Sequence, residues 1–318
     1  MPIPAQFRDR LSLPLIAAPM FLVSGPELVI ETCKYGVIGA FPTANCRTVE
    51  QLDEWFIQID QQLSDFRSSH PDQPVAPPCA NLIVHRSNSR LRNDLALVRK
   101  HRIELVIASV GSPHEIIEPI HEYGGVVYAD VAGMRHVEKA LAAGSDGLIL
   151  LTAGAGGQTG WANPFAFVRQ VREVFDGPVV LAGGVADGTA LHAAEVLGCN
   201  LAYMGTRFIA TQESMAPEVY KHMIVGTNMD GIKLTKAFSG LETNMIRQSI
   251  EAAGLDPDNL PERGMIDVAK DLDPDNQDKK RYRDIWSAGH TAGSIHDVPV
   301  VRDLVARLRE EYQAAKAR

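Results

Sequence analysis

The 318 residues include only four cysteines, Cys33, Cys46, Cys79 and Cys199, and no CxxC pair. That excludes a disulfide-stapled scaffold and a thiolate metal site, so each thiol reads as a small apolar core residue and no metal is expected. Aromatic residues make up 6% of the chain, and no window approaches the ~18 consecutive apolar residues of a membrane span. The opening "MPIPAQFRDRLSLPLIAAPM" lacks a basic stretch followed by an apolar one. Nothing there reads as a secretory signal, and the expected location is the cytoplasm. Lysine and arginine total 31 against 39 acidic residues, a net charge of −8, with no basic cluster. A nucleic-acid partner is thereby disfavoured. There is no repeat of fixed period, no low-complexity tract and no G-x-G-x-x-G turn opening a βαβ unit.

What is present is a large apolar fraction, 45%, with 22% charged residues, enough to bury a sizeable core. Short runs rich in Val, Ile, Leu and Ala alternate with longer amphipathic stretches, the pattern of strands buried on both faces and joined by crossover helices. Eight candidate strands follow one another: "LPLIAA", "GVIGAF", "PPCANLIV", "ELVIAS", "GVVYAD", "GLILLT", "PVVLAG" and "LAYMG". Helical patterns such as "GPELVIETCKYG", "RLRNDLALVRKHR", "RHVEKALAAG", "NPFAFVRQVREVF" and "GTALHAAEVLG" lie between them. Eight strands in strict alternation predict an α/β fold, a (β/α)8 TIM barrel, rather than an open doubly wound sheet. After Met215 the alternation stops. The expected organisation is a barrel over 1–215 and a helical extension over 216–318, packing on the barrel and partly over its mouth. The last stretch, "VPVVRDLVARLREEYQAAKAR", reads as an amphipathic helix.

In such a barrel the residues just after each strand form the rim on which sites are built. The seventh and eighth strands run into "AGGVADG" and "MGTRF", and glycine turns on adjacent strands let main-chain N–H groups close on an anion. Gly183, Gly184, Gly205 and Thr206 are therefore candidates for gripping a phosphate. "AAPM" puts Pro19 and Met20 on the same rim, and the third strand adds Asn81, an amide that both donates and accepts. An apolar wall, an amide and a glycine platform suit a flat heteroaromatic ring. The segment "LTAGAGGQTG" after the sixth strand offers almost bare backbone, including Gly156 and Gly157, followed by Gln158.

Together "AAPM", Asn81, "GAGGQTG", "LAGGVADG", "MGTRF" and "WSAGHTAG" resemble the FMN-dependent barrel family of nitronate monooxygenases, which also takes in flavin-dependent enoyl and quinone reductases. The resemblance implies non-covalent FMN, with its phosphate at the last two strand turns and its ring over the mouth beside the loop after strand six. Three departures stand out. The family's E-A-G-G-H loop, whose histidine is the catalytic base, aligns with Gly154, Ala155, Gly156, Gly157 and Gln158. Its basic residue after strand five falls on Asp130, and its A-G-Q-G segment appears as Ala288, Gly289, His290 and Thr291.

A neutral amide is no general base near pH 7, yet it can donate a hydrogen bond to a nitro or nitronate oxygen. Gln158 is thus expected to orient substrate. His290 is the candidate for a displaced base, since an imidazole titrates near neutrality, and Asp130 and His85 are weaker ones. The leading expectation is an FMN oxidoreductase that oxidises a small-molecule nitronate with O2 as acceptor. Alternatives are an NAD(P)H-dependent quinone or enoyl reductase, a flavin-free barrel lyase or isomerase, and a catalytically silent flavin-binding protein.

Overall fold

The computed structural model describes residue 3, residues 5–261 and residues 284–318. Its centre is a closed barrel of eight parallel strands. These are β1 (Leu15–Ala17), β2 (Ile38–Pro42), β3 (Cys79–Ile83), β4 (Leu105–Ser109), β5 (Val126–Val131), β6 (Gly147–Leu151), β8 (Val179–Ala182) and β9 (Leu201–Met204). Each pairs with the next in chain order, and β9 closes back on β1 with Leu15 opposite Ala202. The (β/α)8 architecture read from the alternation is the one observed, and all eight quoted runs lie on barrel strands. The four cysteines are free and buried.

The outer ring is made by α2 (Pro26–Lys34), α3 (Val49–Ser69), α4 (Leu91–Lys100), α5 (His114–His121), α6 (Met134–Ala142), α7 (Pro164–Arg172) and α8 (Gly188–Leu197), preceded by a short α1 (Ala5–Arg8). Their ends are set by local chemistry. The Thr48 hydroxyl accepts from Gln51 N–H at the start of α3, and the Asp187 carboxylate from Ala190 N–H at the start of α8. Gly198 closes α8 in the left-handed conformation at φ 117°.

After β9 come the short helices α9 (Thr206–Ile209), α10 (Glu218–Val225) and α11 (Arg247–Ala252). Strands β10 (Ile232–Thr235) and β11 (Thr243–Ile246) lie in the same region. They form a separate antiparallel sheet, in the order β10-β11-β7, with the two-residue strand β7 (Gly157–Gln158) that belongs to the loop after β6. Of the segment 216–318 expected as an extension, residues 262–283 lie outside the described residues.

The last helix, α12 (Val301–Lys316), buries Val301, Leu304, Val305, Leu308 and Tyr312 along one face. It packs against α8 and α2, the two helices that flank the gap in the ring after β9. Although it lies within the segment read as an extension, it thus occupies the place of the eighth barrel helix. Glu213 accepts from Val301 N–H with both carboxylate oxygens, at 2.9 and 3.0 Å, and supplies the negative charge that a helix N-terminus favours.

Candidate active site

Side chains on alternate positions of each strand point into the barrel, so the last inward residue of each strand makes the floor of the mouth. Ser109 of β4 and Asp130 of β5 are such residues, and with Asn81, two positions before the end of β3, they form one chain of hydrogen bonds. Asn81 Nδ2 donates to Ser109 Oγ at 2.6 Å and to Ile107 O at 3.2 Å; Ser109 Oγ then donates to Asp130 Oδ2 at 2.5 Å. Because Asn81 supplies a proton to the serine oxygen, the serine hydroxyl is left pointing at the carboxyl. The other carboxyl oxygen, Oδ1, is sealed from solvent and has no partner among the described residues. Burial pushes the Asp130 carboxyl up to about 7, against the opposing pull of the Ser109 hydroxyl. A folded chain that holds a proton its unfolded form has released loses stability as pH rises from about 4 to about 7. Ser109 escaped the sequence reading because it ends an apolar run, "ELVIAS". Its parity with Leu105 and Ile107 was the signal available.

The turn after β8 carries Gly183 at φ 114° and Gly184 at φ 78°. Two successive residues in the left-handed region require glycine at both positions. Gly184 is exposed and faces open space, and no described residue accepts its N–H. Gly183 lies under the loop after β6, where a Cβ would stand 2.6 Å from Thr152 Oγ1. After β9, a Cβ on Gly205 would stand 3.6 Å from Met20 Sδ, ordinary contact, so the first and last strand ends of the barrel lie next to one another here. Pro19 and Met20 are both half-buried, and Met20 is fixed by Ser24 Oγ, which accepts its N–H at 3.0 Å. The Thr206 hydroxyl is already engaged, accepting from Gly289 N–H at 2.9 Å.

The glycine-rich loop after β6 has a structural reason beyond closeness to a ligand. It lies backbone against backbone on residues 288–290. A Cβ on Gly156 would stand 2.7 Å from Gly289 N, and one on Gly289 would stand 2.7 Å from Gly154 O. His290 N–H donates to Gly154 O at 3.0 Å, and Asn244 Nδ2 to Ala155 O at 2.7 Å. β11 then adds the main-chain pairing of Thr243 with Gln158 and of Asn244 with Gly157. The loop, the C-terminal segment and the small sheet are thus one clamped unit. Asn244, which no motif singled out, is part of the clamp.

The structure brings Asn81 and Asp130 together through Ser109, Met20 next to Gly205, and Gly156 next to Thr206 and Gly289. Gln158 is half-buried on the small sheet. His290 is exposed, with its ring against Gly154, and His85 is tied to Ser87 Oγ at 2.7 Å. Within the loop from Thr152 to Thr159 no side chain is an acid or a base. No group of residues with the makings of a metal site occurs among the described residues, and no described helix is long and apolar enough to cross a membrane.

Comparison with known proteins gives a concordant picture. A family model described as nitronate monooxygenase matches residues 8–311. An octahydro-1H-indene-4-carboxyl-CoA dehydrogenase from Rhodococcus jostii is 26% identical over 262 residues, 81% of this chain and 68% of that protein. A nitronate monooxygenase from Paraburkholderia phytofirmans is 26% identical over 343 residues, 94% of this chain and 92% of that protein. Among solved structures, nitroalkane oxidase from Streptomyces ansochromogenes superposes with a TM-score of 0.74 at 23% identity, covering 97% of this chain and 98% of that one. FabK from Thermotoga maritima gives 0.76 at 22% identity, covering 97% and 95%.

Proposed function

Since the chain belongs to the nitronate monooxygenase family and is an FMN-type oxidoreductase, we propose that it oxidises small anionic nitronates with O2 as acceptor. The observation that carries this reading is the loop clamped beside the mouth, which holds no acid or base and offers only the Gln158 amide. A nitronate has already lost its carbon-bound proton, whereas a neutral nitroalkane must first give one up. A site whose covering loop cannot take a proton suits the first and not the second.

The residues present fit FMN. Gly183, Gly184, Gly205 and the main chain of Thr206 would hold the phosphate; Gly184 in particular presents an exposed N–H with no described protein acceptor. Pro19, Met20, Asn81, Gly156 and Gly157 would frame the ring, and Asp130 would lie beneath it. Bound FMN supplies the electron acceptor for the carbon centre. Gln158 donates to a nitronate oxygen and orients the substrate. Asp130, uncharged below about pH 7, lets an anion approach without like-charge repulsion. His290 stands in solvent and is not called on by a substrate that arrives ionised. We keep the 1–215 and 216–318 division as the assignment of barrel and mouth-covering elements, with α12 returning to the ring.

With one nitro compound offered separately as nitronate and as neutral nitroalkane, turnover is expected on the nitronate and little on the neutral form. Equal rates would overturn the reading. A second reading, an oxidoreductase acting on a CoA thioester, is favoured by the name of the Rhodococcus jostii relative. Rapid anaerobic bleaching of the flavin by NADH, followed by reoxidation with an enoyl thioester, would support it over the first.

A further inference from the structure

We propose that Asp130 serves FMN binding as a neutral acid, so that capping the mouth with the flavin ring takes up a proton whenever the pH is above neutrality. The inference rests on the assignment of FMN to this site, but it concerns a residue and a linkage that the assignment does not contain. Its ground is the surroundings of the carboxyl. Among the described residues Oδ2 has one donor, the Ser109 hydroxyl, and Oδ1 has none. On the neighbouring strand β6 the residue opposite Asp130 is Ile149, which is in turn opposite Val180 of β8, so both neighbours on that side are apolar. Among the described residues the ionisable groups that feel the charge of Asp130 are Cys79 of β3 and Tyr203 of β9. Burial holds that thiol and that phenol well above their ordinary values, so neither carries charge near neutrality. No cation among the described residues acts on the carboxyl.

A carboxylate in this position is poorly compensated, and burial already sets its proton affinity near pH 7. Asp130 as a residue is still partly exposed, although its Oδ1 is sealed. An uncharged heteroaromatic ring laid over it removes the remaining water and offers ring nitrogens and carbonyl oxygens as acceptors for an acid O–H. Both changes favour the protonated form. By linkage, a group whose proton affinity is higher with ligand bound weakens binding as pH rises from its free value toward its bound value. The FMN phosphate completes its own ionisation near pH 6, so the range above 7 reports on Asp130.

The test is the dissociation constant of FMN, read from the fluorescence of flavin released when purified holoprotein is diluted at a series of pH values. For the wild type, Kd should be level just above pH 6.5 and then rise about tenfold per pH unit above about 7. Asp130→Asn keeps a neutral donor and should bind FMN with a flat profile. Ser109→Ala removes the donor that favours the carboxylate, so its break should move to higher pH. A flat wild-type profile, or a break that survives in Asp130→Asn, or one that does not move in Ser109→Ala, overturns the proposal. Absence of FMN from the protein at every pH would instead overturn the cofactor assignment on which it rests.

Discussion

A chain ending at residue 300 will not fold. The sequence pattern invites the opposite expectation, since everything after residue 215 reads as an addition to a finished barrel. The packing decides otherwise. α12 is the eighth wall element, and without it the apolar sides of α2 and α8 face water. Its five buried side chains, Val301, Leu304, Val305, Leu308 and Tyr312, contribute about 1.5–3 kcal/mol each by area removed from water, on the order of 10 kcal/mol together as an upper figure. Whole domains are stable by about 5–15 kcal/mol. The truncated chain should therefore show no cooperative thermal transition and should expose apolar surface to a hydrophobic dye. Cooperative melting with native secondary structure would show α12 to be dispensable.

Gly289→Ala should unclamp the loop over the mouth and lower FMN occupancy and turnover by roughly tenfold or more. The added methyl would stand 2.7 Å from Gly154 O and 2.9 Å from Gly156 N. Both are main-chain atoms of a loop that the His290 N–H, the Asn244 amide and the pairing with β11 also hold in place. Neither side can swing away as a flexible side chain would. Overpacking of this kind costs about 1–3 kcal/mol, and about 1.4 kcal/mol is a factor of ten in an equilibrium constant. Gly293→Ala is the matched control: it lies in the same segment, and its Cβ would meet Asn228 Cα at an ordinary 3.5 Å. Bound flavin and kcat measured on both variants check the prediction. If Gly289→Ala behaves like Gly293→Ala, the clamp does not exist.

The barrel was legible because its strands are continuous apolar runs punctuated by glycine, which few other arrangements accommodate. The turn after β8 was legible for a similar reason, since the paired Gly183 and Gly184 mark conformations that other residues avoid, whereas Gly205 after β9 sits at φ −101°, which does not require glycine. The small sheet was not. β7 is two residues long, and β10 and β11 are four each, too short for a period to show. Its formation depends on segments far apart in the chain meeting at the mouth. The glycines of the loop after β6 were visible, but their packing against Gly289 was not, because that contact joins residues more than a hundred positions apart. Asn81 and Asp130 were each picked out singly. What joins them is Ser109, whose hydroxyl has meaning only once parity on neighbouring strands sets the three residues side by side.

The flavin content of the purified protein tests the account most directly. Denaturation should release FMN in an amount equimolar with the chain, identified by its absorbance and by chromatography against authentic FMN. A colourless protein that takes up no FMN when incubated with it would contradict the assignment of this barrel mouth to a flavin.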